Sequence, residues 1–246
     1  MRETHDSVAE EFEVRIEQPS LVDMAAERIR GLLLAGVLKP GERVREESLT
    51  SRLGISRPPL REAMQVLVQQ GLLVRTPRRG VRVVILTEAD ISDIYSLRAV
   101  LDQFAVKLGV PVKDTEALAP LRNAVMDMRT SMSAGDHPRY VDANRRFHLA
   151  LIGLGHNSRL SSTYELLMNQ MQLLMSVNLS RESADDREIG VRRHEDLLAA
   201  IESGDVDRTL LVLEAHGEQR FLRVDSELDF ESVATATSRL PVTGGA

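Results

Sequence analysis

The sequence predicts a mainly α fold in two unlike parts: a short helical unit closed by a β-hairpin, then an all-α antiparallel helical bundle. Three observations predict it. Apolar residues recur at helical spacing along most of the chain from Leu21 onward. Two short β-type runs, Leu72–Arg75 and Val81–Ile85, flank the turn-forming Thr76-Pro77-Arg78-Arg79-Gly80. Beyond Thr87 the helical stretches are separated by short breaks, which folds successive helices back on one another.

The N-terminal elements follow from local signals. Val22, Ala25, Ala26, Ile29, Leu32 and Leu33 form one stripe of a helix from about Leu21 to Leu34, stopped before Lys39-Pro40-Gly41. A second helix runs from about Glu46 to Leu53 and ends at Gly54. Ser56 is expected to cap a third, Arg57 to Gln70, which ends at Gly71. Three short helices followed by a hairpin describe a winged helix-turn-helix. The later helices are expected at about 88–109, 114–133, 137–153, 158–179, 187–203 and 206–226, with no internal repeat. The resulting division is a tail over 1–20, the winged unit over 21–85, an all-helical unit over 86–228 and a tail over 229–246.

The 246 residues exceed one average domain, and 43% apolar with 28% charged residues is globular composition, not that of a wholly disordered chain. With no Cys, disulfides, thiolate metal sites and a Cys nucleophile are excluded, and a reducing compartment is suited. No apolar run approaches the ~18–20 residues of a membrane span. The acidic opening MRETHDSVAEEFEVRIEQPS lacks the apolar core of a signal peptide. A cytoplasmic protein with no membrane partner is expected.

Charge is unevenly spread. Leu21 to Val84 holds twelve Lys and Arg against six acids, a balance of +6; since the whole chain carries −6, the remainder carries −12. A basic segment joined to an acidic remainder fits a polyanion-binding module, the plainer reading being a solvated charged surface. The third helix carries the argument further. Leu60, Ala63, Met64 and Leu67 form its inner stripe, and Arg57, Arg61 and Gln65 stand opposite at i, i+4 and i+8. Pro58 and Pro59 fall in the first turn, where proline is tolerated and the helix dipole suits a phosphate. In the major groove Arg reads guanine and Gln reads adenine; the wing tip, Arg78-Arg79-Gly80, would follow the backbone or the minor groove. The alternative is that Arg57 and Arg61 are surface residues paired with nearby acids.

The stretch GVLKPGERVREESLTSRLGISRPPLREAMQVLVQQGLLVRTPRRGVRV resembles the N-terminal domain of GntR-type bacterial transcription regulators. Lys39-Pro40-Gly41, Leu53-Gly54-Ile55-Ser56-Arg57, Pro59-Leu60-Arg61-Glu62-Ala63-Met64 and Gly71-Leu72-Leu73 match the family pattern in order and spacing. The resemblance implies operator contacts by Arg57 and Arg61. The full set of DNA-binding candidates is Arg45, Ser56, Arg57, Arg61, Gln65, Arg78, Arg79 and Gly80. Two departures stand out: Pro58 replaces a small hydroxyl residue, and Glu47 lies where some relatives have Arg.

Three of six histidines, His148, His194 and His216, fall on apolar helical stripes, and Asn144 precedes His148 by one turn. Imidazoles meeting inside a dry bundle need hydrogen bonds or a metal; each taken singly reads first as a satisfied core or surface residue. Three neutral imidazoles plus an oxygen would suit Zn²⁺ or Ni²⁺. Arg98 shares a stripe with Ile94, Leu101, Ala105 and Leu108, where a guanidinium needs an anion. That anion is either Asp102 of the same helix or the carboxylate of a bound effector, which Arg grips through two hydrogen bonds.

Asn144-Arg145-Arg146-Phe147-His148, then His194 and His216, resemble the metal-binding elements of the FCD domain found in the FadR-like subgroup. Tyr95-Ser96-Leu97-Arg98-Ala99-Val100-Leu101-Asp102 resembles its "R..LE" segment, with Asp102 in place of Glu. The resemblance implies a metal held by Asn144, His148, His194 and His216, Zn²⁺ first and Ni²⁺ as the alternative, with Arg98 binding a small carboxylate effector beside it. Asn144 is the weak ligand, since a neutral amide oxygen binds a cation less strongly than a carboxylate.

The function so read is a DNA-binding transcription regulator, expected to act as a repressor, not an enzyme. As a homodimer it would bind a near-palindromic double-stranded operator, with affinity set by the organic acid. The alternatives are a metal-dependent enzyme in the C-terminal part, against which stands the lack of HExxH, GxSxG or P-loop patterns, and a non-specific architectural DNA binder.

Overall fold

The computed structural model describes residues 19–179 and 184–217. Helix α1 (Leu21–Leu34) begins at a reciprocal cap. The Ser20 hydroxyl accepts from the Asp23 amide, and the Asp23 carboxylate accepts from the Ser20 amide. Ala25, Ala26, Ile29 and Leu33 form its buried stripe. Helix α2 (Glu46–Leu53) ends at Gly54, whose φ of 66° is the left-handed conformation that glycine adopts without strain. Helix α3 (Arg57–Gln69) lies across α1 and buries Leu60, Ala63, Met64 and Leu67, the stripe its sequence predicts.

Strands β1 (Leu73–Thr76) and β2 (Gly80–Val83) pair antiparallel, Leu73 opposite Val83 and Thr76 opposite Gly80. The hairpin has a backing ribbon that the sequence does not announce. Residues 41–44 run along β2: the Gly41 amide donates to the Val83 carbonyl at 3.1 Å, and the Val44 amide to that of Val81 at 2.9 Å. This third run holds the wing against α1–α3.

The bundle comprises α4 (Glu88–Gly109), α5 (Ala119–Ala134), α6 (His137–Gly153), α7 (Ser158–Leu179), α8 (Ala184–Glu202) and α9 (Val206–Gly217). One expected helix is divided. Residues 115–118 form a 3₁₀ turn and the α-helix starts at Ala119. Pro120 is the reason: it has no N–H for the Glu116 carbonyl, and its ring would collide with that group in a continuous α-helix. Part of the last expected helix, residues 218–226, lies outside the described residues, as do most of the expected N-terminal tail and all of the C-terminal one. Consecutive helices joined by short turns pack as neighbours, α5 on α6, α6 on α7 and α8 on α9.

The bundle core centres on Leu121, Met128, Phe147, Leu151, Leu197 and Ile201, with a second cluster of Ile94, Ala105, Ile152, Tyr164 and Met168. Leu173 of α7 belongs to the N-terminal core, so α1–α3 are seated on the bundle through apolar burial. Gly71 lies at the same seam. A Cβ there would stand 2.5 Å from Gln170 Nε2, and its φ of 70° already favours glycine. Among the described residues no helix is long and apolar enough to cross a membrane.

Candidate functional site

Arg57, Arg61 and Gln65 are exposed along one face of α3. Arg61 is not idle there: its Nε donates to both carboxylate oxygens of Glu46 on α2, at 3.1 and 3.0 Å. Gln65 Oε1 accepts from Arg75 Nη2 of the wing at 3.4 Å, a long contact. Ser56 occupies the N-cap of α3, yet its hydroxyl makes no capping hydrogen bond. Its usual partners are the amides of the second and third helical residues, and here those are Pro58 and Pro59, which have none. The same prolines thin out the free amides available for a phosphate at this helix end.

Arg45 is exposed at the N-cap of α2, beside the exposed Glu47. Arg78, Arg79 and Gly80 form the exposed tip of the wing. Arg78 has φ 61° and Gly80 φ 85°, and the Arg79 amide closes the turn on the Thr76 carbonyl at 3.0 Å. All eight sequence-selected positions therefore lie on exposed surface of α2, α3 and the wing, with Arg61 and Gln65 held by internal partners.

Inside the bundle His148 of α6, His194 of α8 and His216 of α9 converge, one ring nitrogen from each lying within 4.8 Å of the others. His148 Nε2 is 3.3 Å from His194 Nε2 and 3.4 Å from His216 Nε2. His148 is fully buried, and the Phe147 ring meets both His148 and His194 edge-on. Burial holds the His194 pKa down to about 4, and pushes His148 and His216 well below the ordinary histidine range. The Arg98 charge adds to this at all three.

The His194 tautomer follows from its partner. His194 Nδ1 is 2.8 Å from the Gly190 carbonyl and must donate to it, which leaves a lone pair on Nε2. Arg98 Nη2, which can only donate, lies 2.8 Å from His148 Nε2 and 3.2 Å from His148 Nδ1. His194 Nε2, with its lone pair free, lies 3.3 Å from His148 Nε2. A tetrahedral zinc with Zn–N bonds of ~2.0–2.1 Å spaces its ligand nitrogens by roughly 3.3 Å, close to the two separations from His148 Nε2.

Arg98 is buried at 7% exposure, and its Nε donates to Asp102 Oδ2 at 3.1 Å. Of the two anions open to it, the one in place is therefore Asp102. Tyr164 of α7 donates to the other carboxylate oxygen at 2.6 Å. Burial opposes the Arg98 charge, but Tyr164 and Asp102 outweigh it and raise its pKa. Burial pushes Asp102 upward while Arg98 and the Tyr164 hydroxyl pull it back. Asn144 is buried, and its amide nitrogen contacts Met175 Sδ at 3.1 Å, which leaves the oxygen as the end a cation would use.

Tyr164 is the member that sequence reasoning missed. Its one available signal is a phenol on the buried stripe of Leu160, Leu167 and Met168, where a hydroxyl needs a partner. Leu108, expected on the inner stripe of α4, is instead 49% exposed, because that stripe drifts around the helix over its 22 residues.

Residues 21–83 match the family model for bacterial regulatory proteins of the gntR family, and residues 93–219 match that of the FCD domain. The YdhC regulator of Bacillus subtilis (strain 168), an uncharacterized HTH-type transcriptional regulator, is 33% identical over 139 residues, 56% of this chain; the match spans only 62% of that relative. The gluconate operon transcriptional repressor of the same organism is 26% identical over 195 residues, covering 78% of this chain and 79% of the repressor. Among solved structures, E. coli McbR/YncC superposes with a TM-score of 0.72 at 23% identity, over 90% of this chain and 99% of that one, a likeness of fold. With both models matched in order, one of them over half the chain, the protein belongs to the GntR family of bacterial regulatory proteins, in the group that carries an FCD domain.

Proposed function

We propose that this protein is a DNA-binding transcription regulator whose operator affinity is set by a small organic acid bound beside a divalent metal. Residues 21–85 would serve as the DNA-binding unit and 86–228 as the effector-binding and dimerisation unit, acting in the cytoplasm. The observation that carries the reading is the exposed Arg57–Arg61–Gln65 face of α3, on a helix whose opposite face is fully used in the core. An exposed helix bearing guanidinium and amide groups at one-turn intervals is the shape that enters a major groove. Arg45, Ser56 and the wing residues Arg78, Arg79 and Gly80 flank that face as backbone contacts.

A second copy of the chain would supply the other half-site of a near-palindromic operator. Leu97, Val100, Phe104 and Leu108 support this: they are 45–63% exposed at i, i+3, i+7 and i+11 of α4, a continuous apolar strip of the kind a homodimer covers. The metal would be held by His148, His194 and His216, with Asn144 Oδ1 as an oxygen ligand. Zn²⁺ is the best match to neutral imidazoles at these separations, and Ni²⁺ the next. When bound, the metal supplies a Lewis-acidic position for a carboxylate. Arg98, anchored by Asp102 and Tyr164, stands next to it to accept the same carboxylate. The name of the gluconate relative favours repression and an acid of the sugar-acid kind.

The test is selection of duplexes from random and genomic DNA with the purified protein. A recurrent near-palindrome, bound more tightly than its scrambled version at physiological salt and weakened in Arg57→Ala, is expected. Equal binding of scrambled DNA would mean an architectural binder. Metal analysis of the same preparation should find one divalent ion per chain, lost in His194→Ala.

A further inference from the structure

The run that backs the wing carries its own basic residue, Arg43, outside the face of α3 and outside the turn of the hairpin. Arg43 lies opposite Arg82 of β2. The Val44 amide donates to the Val81 carbonyl at 2.9 Å and the Val83 amide to the Glu42 carbonyl at 3.0 Å. Arg43 and Arg82 are therefore a non-hydrogen-bonded pair, the kind in which facing side chains stand closest. Their neighbours Val44, Val81 and Val83 are buried, which turns both arginines to the outer face of the ribbon. Like charges placed directly opposite destabilise such a pair. Arg82 turns one way and donates through Nη1 to the Gly41 carbonyl at 2.9 Å. Arg43 turns the other way, to the wing tip: a Cβ on Gly80 would stand 3.4 Å from its Nε and 3.6 Å from its Nη2.

Arg43 is exposed, and among the described residues no acid pairs with it. The Glu42 carboxylate, beside it in sequence, accepts instead from the Lys39 amide at 3.0 Å. Three residues on from Arg43, Glu46 holds Arg61 of α3. One short segment thus touches the wing tip at one end and the α3 face at the other, a span of at most ~10 Å in extended chain. Arg43, Arg45, Arg78 and Arg79 are all exposed along this stretch. Such a row of cations attracts a polyanion, and a polyanion would also relieve the repulsion between Arg43 and Arg82.

We propose that Arg43 contacts the phosphate backbone flanking the half-site and completes, with Arg78 and Arg79, a grip built from two separate stretches of chain, a role that rests on the DNA binding proposed above. Its guanidinium donates to phosphate oxygens and reads no base, so it adds affinity on every sequence alike. Gly80 serves the same grip. A side chain larger than a methyl group there would push the Arg43 guanidinium off the tip.

The experiment measures binding of the full chain to the selected duplex and to its scrambled version, by fluorescence anisotropy at salt concentrations from about 50 to 200 mM. Arg43→Gln, which removes the charge, should weaken binding to both duplexes by the same factor. It should also lower the magnitude of the slope of log K against log salt by about 0.9, the loss of one phosphate contact. Arg43→Lys should restore most of that slope. Arg122→Gln, which breaks an exposed pair with Glu202 in the bundle, should leave it unchanged. The urea midpoint of Arg43→Gln should be unchanged or raised, since the variant relieves a like-charge pair. An unchanged slope in Arg43→Gln, beside an Arg57→Ala variant that binds the selected duplex more weakly, would overturn the proposal and leave the α3 face standing. A loss confined to the selected duplex would overturn it by making Arg43 a base reader. An equal drop in Arg122→Gln would overturn it as a mere effect of net charge, and a lowered urea midpoint as a structural role. No salt-dependent binding of either duplex by the unmutated protein would remove the DNA-binding role itself, and the Arg43 contact with it.

Discussion

Two ion pairs of nearly the same length do opposite things in this molecule. Arg61 on α3 meets Glu46 at 3.0 Å with 62% and 34% of the side chains exposed; Arg98 on α4 meets Asp102 at 3.1 Å with 9% and 3% exposed. The distances alone do not separate them; the solvent does. In water the first pair is worth ~0–1 kcal/mol and is screened by salt, so a competing partner can take the arginine at little cost. In the core the second pair was desolvated when the chain folded, and losing either partner leaves a bare charge. The arginine proposed to contact DNA is held loosely, and the one beside the histidines is locked by Asp102 and, through it, by Tyr164.

The comparison can be broken most easily from the buried side. Asp102→Ala should lower stability by about 3–5 kcal/mol in urea unfolding, because it strands the Arg98 charge. Tyr164→Phe keeps the shape and removes one hydrogen bond to a charged group, for which about 1.5–3 kcal/mol is expected. A loss in Asp102→Ala no greater than in an exposed-pair mutant would mean that water enters the centre and that the contrast is false.

Acid should act on the same side of the comparison. His194 titrates near 4 in the fold against an ordinary 6.5, so the unfolded chain takes up its proton first as pH falls. Stability of the metal-free protein is thus fully present above pH 6.5 and is lost as pH drops toward 4, by roughly 3 kcal/mol for this group. His148 and His216 act in the same direction. Urea midpoints measured across that range check it, and a flat profile would contradict the buried neutral imidazoles.

On the exposed side, Arg61→Ala and Arg57→Ala should each weaken operator binding by at least ~1 kcal/mol with the fold intact by circular dichroism. The smallest effect sharpens the contrast most. Glu46→Gln should leave stability within ~1 kcal/mol and tighten DNA binding slightly, since Arg61 no longer has to leave a carboxylate. Weaker binding in Glu46→Gln would show instead that Glu46 aims Arg61 at the duplex.

The two sides also differed in how far the sequence revealed them. The α3 face was legible because it depends on spacing within one helix: Leu60, Ala63, Met64 and Leu67 turn inward, and Arg57, Arg61 and Gln65 are then outward by geometry. Ser56 was misjudged as an active cap although the reason, two prolines lacking amides, is itself in the sequence. The continuous helix over 114–133 likewise overlooked Pro120. In the bundle the histidines were identifiable as polar residues on apolar stripes, but the choice between Asp102 and an effector for Arg98 stayed open, and Tyr164 was not seen at all.

By itself the sequence determined which segments are helical, which face of each is apolar, that basic charge gathers between Leu21 and Val84, and by resemblance the family. These are properties of neighbours along the chain, governed by backbone chemistry and by a period of 3.6 residues. Only the tertiary structure decided that His148 meets partners 46 and 68 residues away, that Tyr164 holds an aspartate 62 residues before it, and that Arg30 reaches Gln70 across the seam. Such meetings depend on how whole helices pack, and the free energy of that packing is spread over the entire core, so no local pattern records it.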